Sequence, residues 1–378
     1  MVTFEPLLER VQALVDAGRL PGVQLRVTLR GEIEVEAAIG RLTPEGRALP
    51  DDAIFRIYSM TKPITSVAVM MLVESGQVRL DEPITRWFGE FSELKVGIEH
   101  VGASGRELEL VALERVATVR DLLRHTAGFT YGWGDTLIEA RYRELGCESA
   151  RISSNQLIEA LAQAPLVYQP GTTWQYSRAT DILGVLVERV AGCSLAAFFD
   201  ERIFAPLAMI DTGFFVAPDK AHRIAEPFAV DPDLNIPIKL RPSDRNPGYF
   251  SGGGGLFSTL SDYQRFVDLL RGRGALDGVR LLSASSIDQM TRDHLGSMAH
   301  APNYIPGPEC GFGLGFAVRK KDGRLGHTGD YFWSGMAGTF FWIDPSMDLN
   351  AIWLMQAPNQ RDEMRDLFRE LVYQSYRS

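Results

Sequence analysis

Apolar residues first recur at helical spacing. Phe4, Leu7, Leu8, Val11, Leu14 and Val15 fall on one face of a helix over 4–17, since positions three and four apart share a side. Gly18 and the Leu20-Pro21-Gly22 turn end that helix. The period then shortens, and 23–27 and 33–39 read as two strands joined at Arg30-Gly31-Glu32, an antiparallel hairpin. A helix over about 59–74 follows, stopped by Gly76. From 80 to 254 the texture changes to helical pieces (118–123, 154–162, 180–190, 195–203) between Pro- and Gly-rich loops. Aromatic or β-branched strand runs return at 313–318, 338–343 and 349–355, before a last helix over 360–376. Strands at both ends and helices between predict an α+β fold of the α/β-sandwich kind: an antiparallel sheet flanked by helices, plus a mainly helical inserted domain. The expected units are 1–80 with 255–378, and 81–254, with a cleft between them.

Composition narrows the partners. The 378 residues are 45% hydrophobic and 23% charged, which suits one large domain or two interleaved ones with no need of disulfide staples. A net charge of −9 argues against a nucleic-acid backbone or an anionic membrane as the main partner. Cys147, Cys193 and Cys310 are odd in number and lack C-x-x-C spacing, as free thiols in a reducing compartment do. The start of the chain shows no basic region followed by an apolar run, and the apolar stretch 66–73 is too short to span a bilayer. The expectation is a cytoplasmic protein, monomer or homodimer, acting on a small molecule. Its six histidines form no ligand pair, so no metal is expected, and no other cofactor.

The candidate chemistry lies in Ser59-Met60-Thr61-Lys62. Residues three apart on a helix share a face, so the Ser59 hydroxyl and Lys62 amine come within reach of each other. Pro63 is tolerated only in a first turn, which places the serine at the positive end of the helix dipole. A desolvated lysine can take the proton of such a serine. The motif alone equally describes an N-cap serine beside an exposed lysine.

Tyr176 stands 117 residues downstream of Ser59 on a loop that opens a helix. To serve as a base it needs its pKa lowered by a nearby ammonium; otherwise it is a packed aromatic. Trp333-Ser334-Gly335 precedes a strand that could offer the Met336 N–H, with that of Ser59, as an oxyanion hole. Tyr131, Trp133, Tyr249 and Phe250 either line an acyl pocket or pack in the core or at the surface. His125 reads as structural. No G-x-S-x-G occurs, and the run 252–255 lacks the Lys-Ser/Thr of a phosphate loop.

Four stretches, taken in order, resemble the serine β-lactamase-related superfamily, above all the family VIII carboxylesterases and their class C β-lactamase cousins. They are Ile57-Tyr58-Ser59-Met60-Thr61-Lys62, 118–128 (TVRDLLRHTAG), Tyr176-Ser177 with Asp181-Ile182-Leu183-Gly184, and the glycine-rich loop 251–258. The resemblance covers nearly the whole chain and implies a β-lactamase or penicillin-binding-protein transpeptidase fold, with Ser59, Lys62 and Tyr176 catalytic.

The departures bear on substrate. Arg178 replaces the asparagine of Y-x-N. Trp333-Ser334-Gly335 stands where class C enzymes carry K-T-G, as W-x-G does in the esterases. An alternative alignment uses His327-Thr328-Gly329, but the 11 residues from Trp333 to Asp344 favour the tryptophan. An indole in place of a cation removes an attraction for anions and adds an apolar wall. The expected substrate is a neutral ester or amide, with hydrolysis or acyl transfer through an acyl-enzyme and lactam cleavage a side activity. A class C-like β-lactamase, a D-amino-acid peptidase or amidase, and a catalytically silent binding module are the alternatives.

Overall fold

The computed structural model describes residues 2–102, 105–147, 151–243 and 247–377. Helix α1 (Glu5–Asp16) buries Leu7, Val11 and Leu14 on its apolar face. Strands β1 (Gly22–Leu29) and β2 (Glu32–Gly40) then form the expected hairpin. Its turn residues Arg30 and Gly31 both have positive φ, 53° and 87°, the hand that matches strand twist. Helix α2 (Thr61–Glu74) is buried on almost every side, so it lacks the one-sided apolar stripe of a surface helix. A single 3₁₀ turn, Tyr58–Met60, precedes it, so the α-helix opens two residues later than Ser59. Pro63 still falls in its first turn.

The region expected to be mainly helical also holds an antiparallel hairpin, β3 (Lys95–Gly102) with β4 (Gly105–Ala112). Both strands are largely exposed, and of the short apolar alternations they carry, Val96 with Ile98 and Leu108 with Leu110, only Val96 is buried. Helices α3 (Val119–Leu123), α4 (Leu137–Glu144), α5 (Ser154–Ala162), α6 (Ala179–Ala191) and α7 (Leu195–Phe199) follow. Capping boxes start two of them, Thr118 with Asp121 on α3 and Ser153 with Gln156 on α5. The helix expected over 195–203 is interrupted, since α7 passes into a π turn over Asp200–Phe204. Next come α8 (Leu260–Arg271), capped by Thr259, and α9 (Ala284–Met290).

The C-terminal segment supplies β5 (Cys310–Phe312), β6 (Ala317–Arg319), β7 (Tyr331–Ser334), β8 (Phe340–Asp344), β9 (Leu349–Met355) and helix α10 (Arg361–Ser375). Of the single strand expected over 313–318, residues 313–316 form the turn between β5 and β6, with Gly315 at a φ of 103°, and 317–318 begin β6. The main sheet runs β5-β6-β7-β8-β9-β1-β2, each neighbouring pair antiparallel. The two ends of the chain therefore share one sheet, with Val23 opposite Met355 and Leu29 opposite Leu349.

Helices cover both faces. Successive strand residues point to opposite sides. Phe341 meets Tyr263 of α8 at 5.3 Å between rings, while Trp342 meets Phe368 of α10 at 5.1 Å. Burial on both sides explains why β8 and β9 are buried along their whole length. Among the described residues, no single helix is long and apolar enough to cross a membrane.

Phe368 is fully buried between Trp342 and Trp353. Phe368→Ala should cost about 3–5 kcal/mol in transfer and cavity terms. Urea unfolding should show a lower midpoint with an unchanged slope.

Candidate active site

The segment entering α2 is held under tension. Tyr58, just before the serine, has a φ of 43°, and its hydroxyl accepts the Arg241 backbone N–H at 2.9 Å. A non-glycine residue in that region costs on the order of 1–3 kcal/mol and persists where its surroundings enforce it. The 3₁₀ turn then puts Ser59 Oγ 3.1 Å from Lys62 Nζ. The Tyr176 hydroxyl donates to the same Oγ at 2.7 Å.

Lys62 is 1% exposed, and its other partners are built from distant parts of the chain. It donates to the Tyr131 hydroxyl at 2.9 Å and to the Gly253 carbonyl at 2.6 Å. Three partners match the three protons of an ammonium. When one proton leaves, the lone pair faces Ser59 while the other two contacts persist.

Burial brings Lys62 down to about 7, with Asp181 pulling it up and Arg178 pressing it down. Burial acts in the opposite sense on Tyr176, whose hydroxyl is pushed above its ordinary value. Its contact with Ser59 and the nearby Trp333 indole oppose that rise without cancelling it. The lowering of Tyr176 that a base would need is therefore not what the site produces. Lys62 is the group poised near neutrality, and Tyr176 stays protonated.

The glycine-rich loop sets the Gly253 carbonyl. Asp181 Oδ1 accepts from Gly253 N at 3.0 Å and from Ser251 Oγ at 2.5 Å, and Thr65 Oγ1 donates to Gly252 O at 2.7 Å. A Cβ on Gly252 would lie 2.7 Å from the Thr180 carbonyl, so only glycine lets the loop pass between α2 and α6. Arg178, buried where class C enzymes have asparagine, sits 3.4 Å from Asp181 and lies over the Tyr131 ring.

Strand β7 forms the opposite wall. Gly335 allows it to run close to the nucleophile segment, because a Cβ there would meet Ile57 O at 2.3 Å. The Met336 N–H makes no backbone hydrogen bond among the described residues. Ser59, Tyr176, Trp333, Ser334, Gly335 and Met336 all line one cavity of about 460 Å³.

Of the other aromatic candidates, Trp133 lines this cavity and is 60% exposed. Tyr131 stacks on Trp133 at 4.3 Å and lies behind it, holding Lys62. Tyr249 and Phe250 do not line the cavity. The Tyr249 hydroxyl pairs with Arg178 at 3.3 Å and Phe250 packs on Phe214 at 5.0 Å, both behind the glycine loop. His125 is buried among Trp174, Tyr176 and Phe312, where burial keeps it neutral. His327 points away, to Asp344 at 2.6 Å, so Trp333 holds the place that the alternative alignment gave to His327.

Residues with no sequence signal also line the cavity: Ile305, and Arg361, Asp362 and Arg365 at the start of α10. The i, i+4 spacing of the arginines was visible, but not the wall they would face. The two arginines bring positive charge to a cleft without the K-T-G lysine, offset in part by Asp362, which lies 3.9 Å from Arg361 and 3.3 Å from Arg365.

The family model described as Beta-lactamase matches residues 7–374. The chain belongs to the Beta-lactamase family. Protein Rv1367c of Mycobacterium tuberculosis is 35% identical over 359 residues, covering 92% of this chain and 88% of that protein. Esterase EstB of Burkholderia gladioli is 31% identical over 379 residues, covering 92% and 90%. The solved structure of EstCE1, a hydrolase with promiscuous acyltransferase activity, matches at a TM-score of 0.81 and 26% identity, covering 99% of this chain and 100% of that one. The fold is accordingly that of the β-lactamases and penicillin-binding proteins.

Within this Beta-lactamase frame an amine is a base only when neutral, and Lys62 is the amine within reach of the Ser59 hydroxyl. The rate at which a fluorophosphonate labels Ser59 should rise with pH through about 7 and level off above it. Lys62→Met should remove that limb and slow labelling by about 100-fold or more.

Proposed function

We propose that the protein is a serine hydrolase of small carboxylic esters. It works through an acyl-enzyme on Ser59, formed in the cleft between the sheet unit (1–80 with 255–378) and the inserted unit (81–254). The observation that carries this reading is a lysine brought to about 7 by burial, 3.1 Å from a serine hydroxyl. Neutral Lys62 takes the Ser59 proton as Oγ attacks the carbonyl carbon. The N–H groups of Ser59 and Met336 receive the negative charge on the carbonyl oxygen. The proton then passes by way of the Tyr176 hydroxyl to the alkoxy oxygen as its bond to carbon breaks. Water, or another alcohol or amine, repeats the sequence in reverse and frees Ser59. Similarity to an esterase and to a hydrolase with acyltransferase activity supports the same chemistry. Trp333 at the lactamase lysine's place favours esters over lactams.

A second reading, a class C-like β-lactamase or D-amino-acid peptidase, is favoured by Arg361, which lines the cavity with only a long 3.9 Å ion pair, to Asp362, among the described residues, whereas Arg365 is held by Asp362 and Asp366. The three cysteines, none of them in a disulfide among the described residues, support a cytoplasmic setting.

Mass spectrometry after brief exposure to p-nitrophenyl butanoate should find the acyl group on Ser59, and Ser59→Ala should lose turnover by about 10⁴-fold or more. Ester turnover should exceed that of nitrocefin and of D-alanyl peptides. Label on another residue, or undiminished turnover in Ser59→Ala, overturns the reading; no adduct with any reagent restores a silent binding module.

A further inference from the structure

The cavity holding Ser59 is the smaller of two that adjoin. The second, of about 750 Å³, meets it at Trp133, Tyr176 and Ile305, which line both. One wall is β3, through Val96 and Ile98, with Ile138 of α4 packed on Gly97 and with Val167 beside Leu166, which pairs with β3. Glu99 and Glu139 also face it, and no lysine or arginine is among its described lining residues.

The chemistry of the reaction tells the chambers apart. The oxyanion donors Ser59 and Met336 line only the smaller one, so the acyl carbonyl belongs there. Tyr131, which holds Lys62, lines only the larger, and Tyr176, whose hydroxyl donates to Ser59 Oγ, lines both. The proton lost by Ser59 must travel to the alkoxy oxygen, which therefore leaves on the Tyr176 side.

We propose that the larger chamber seats the alcohol half of the ester, and that this alcohol is bulky, largely apolar and without negative charge. The inference rests on the ester-hydrolase reading above. In acylation the Ser59 Oγ–carbon bond forms, the carbon–alkoxy bond breaks, and the alkoxy oxygen leaves as the alcohol with the serine's proton. In the reverse direction the same chamber seats an acceptor alcohol, so acyl transfer to a bulky alcohol competes with hydrolysis. Apolar surface rewards a filled chamber, and carboxylates at its wall repel an anionic occupant.

The test compares butanoate esters of ethanol, 2-naphthalenemethanol and 4-carboxybenzyl alcohol, alongside an acyl-length series on a fixed alcohol. The naphthylmethyl ester should exceed the ethyl ester in kcat/KM by about tenfold or more, chiefly through KM, and the carboxybenzyl ester should fall well below it. Ile98 is 40% exposed and tolerates a larger side chain. Ile98→Trp should shrink the naphthylmethyl-to-ethyl ratio by about tenfold while acyl-length preference holds. In the unaltered protein, 2-naphthalenemethanol should capture the butanoyl group from ethyl butanoate as a new ester, a result that does not depend on any variant folding. Equal kcat/KM for the naphthylmethyl and ethyl esters, or a variant that shifts acyl-length preference instead, overturns the chamber assignment while leaving a Ser59 esterase intact. Absence of any Ser59 adduct overturns the esterase reading itself.

Discussion

The site depends on a lysine taken out of water. An ammonium in a dry interior is costly unless its protons are matched, and here each has an oxygen, on Ser59, Tyr131 and the Gly253 backbone. The cost does not vanish; it appears as a proton held loosely enough to leave near neutrality. The surroundings can be understood from that requirement. Asp181 ties down the loop that offers the Gly253 carbonyl, and Arg178 and Asp181 act on the amine in opposite directions. A rim of aromatic rings, Tyr131, Trp133, Tyr176 and Trp333, keeps solvent from the amine while leaving the serine open to the cavity.

Positioning these groups takes the whole chain. Ser59 and Lys62 come from one helix entrance, Tyr131 and Tyr176 from loops of the inserted region, and Trp333 from a strand near the C-terminus. The sheet makes this arrangement rigid because its neighbours β1 and β9 come from opposite ends of the sequence. Packing of aromatic residues on both faces, against α8 and α10, fixes where β7 and its glycine stand relative to α2.

Charge in the cleft is divided. The tryptophan at the lysine position makes the wall beside the serine apolar, while Arg361 and Arg365 restore a cation from a different element. The adjoining chamber carries carboxylates. The two adjoining cavities thus differ in polarity, and this contrast, more than the Ser59–Lys62 pair, is where members of one fold can differ in selectivity.

Periodicity and local motifs determined much by themselves. The β1–β2 hairpin, α2, α6, β9 and α10 were legible because each carries a dense apolar pattern or a terminal signal in adjacent residues. The Ser59–Lys62 pair was legible because three-residue spacing is a property of the helix alone. The β3–β4 hairpin was not, since its exposed, charged strands carry no buried stripe. Tertiary structure decided the rest: that Tyr176 is raised and Lys62 lowered, that Tyr131 holds the lysine while Tyr249 and Phe250 lie behind a loop, and that two arginines line the cavity of the serine. The reason is that burial and the direction a side chain faces are set by what packs against it from hundreds of residues away. A sequence shows which groups are available, and only the packed chain shows which of them lose their water.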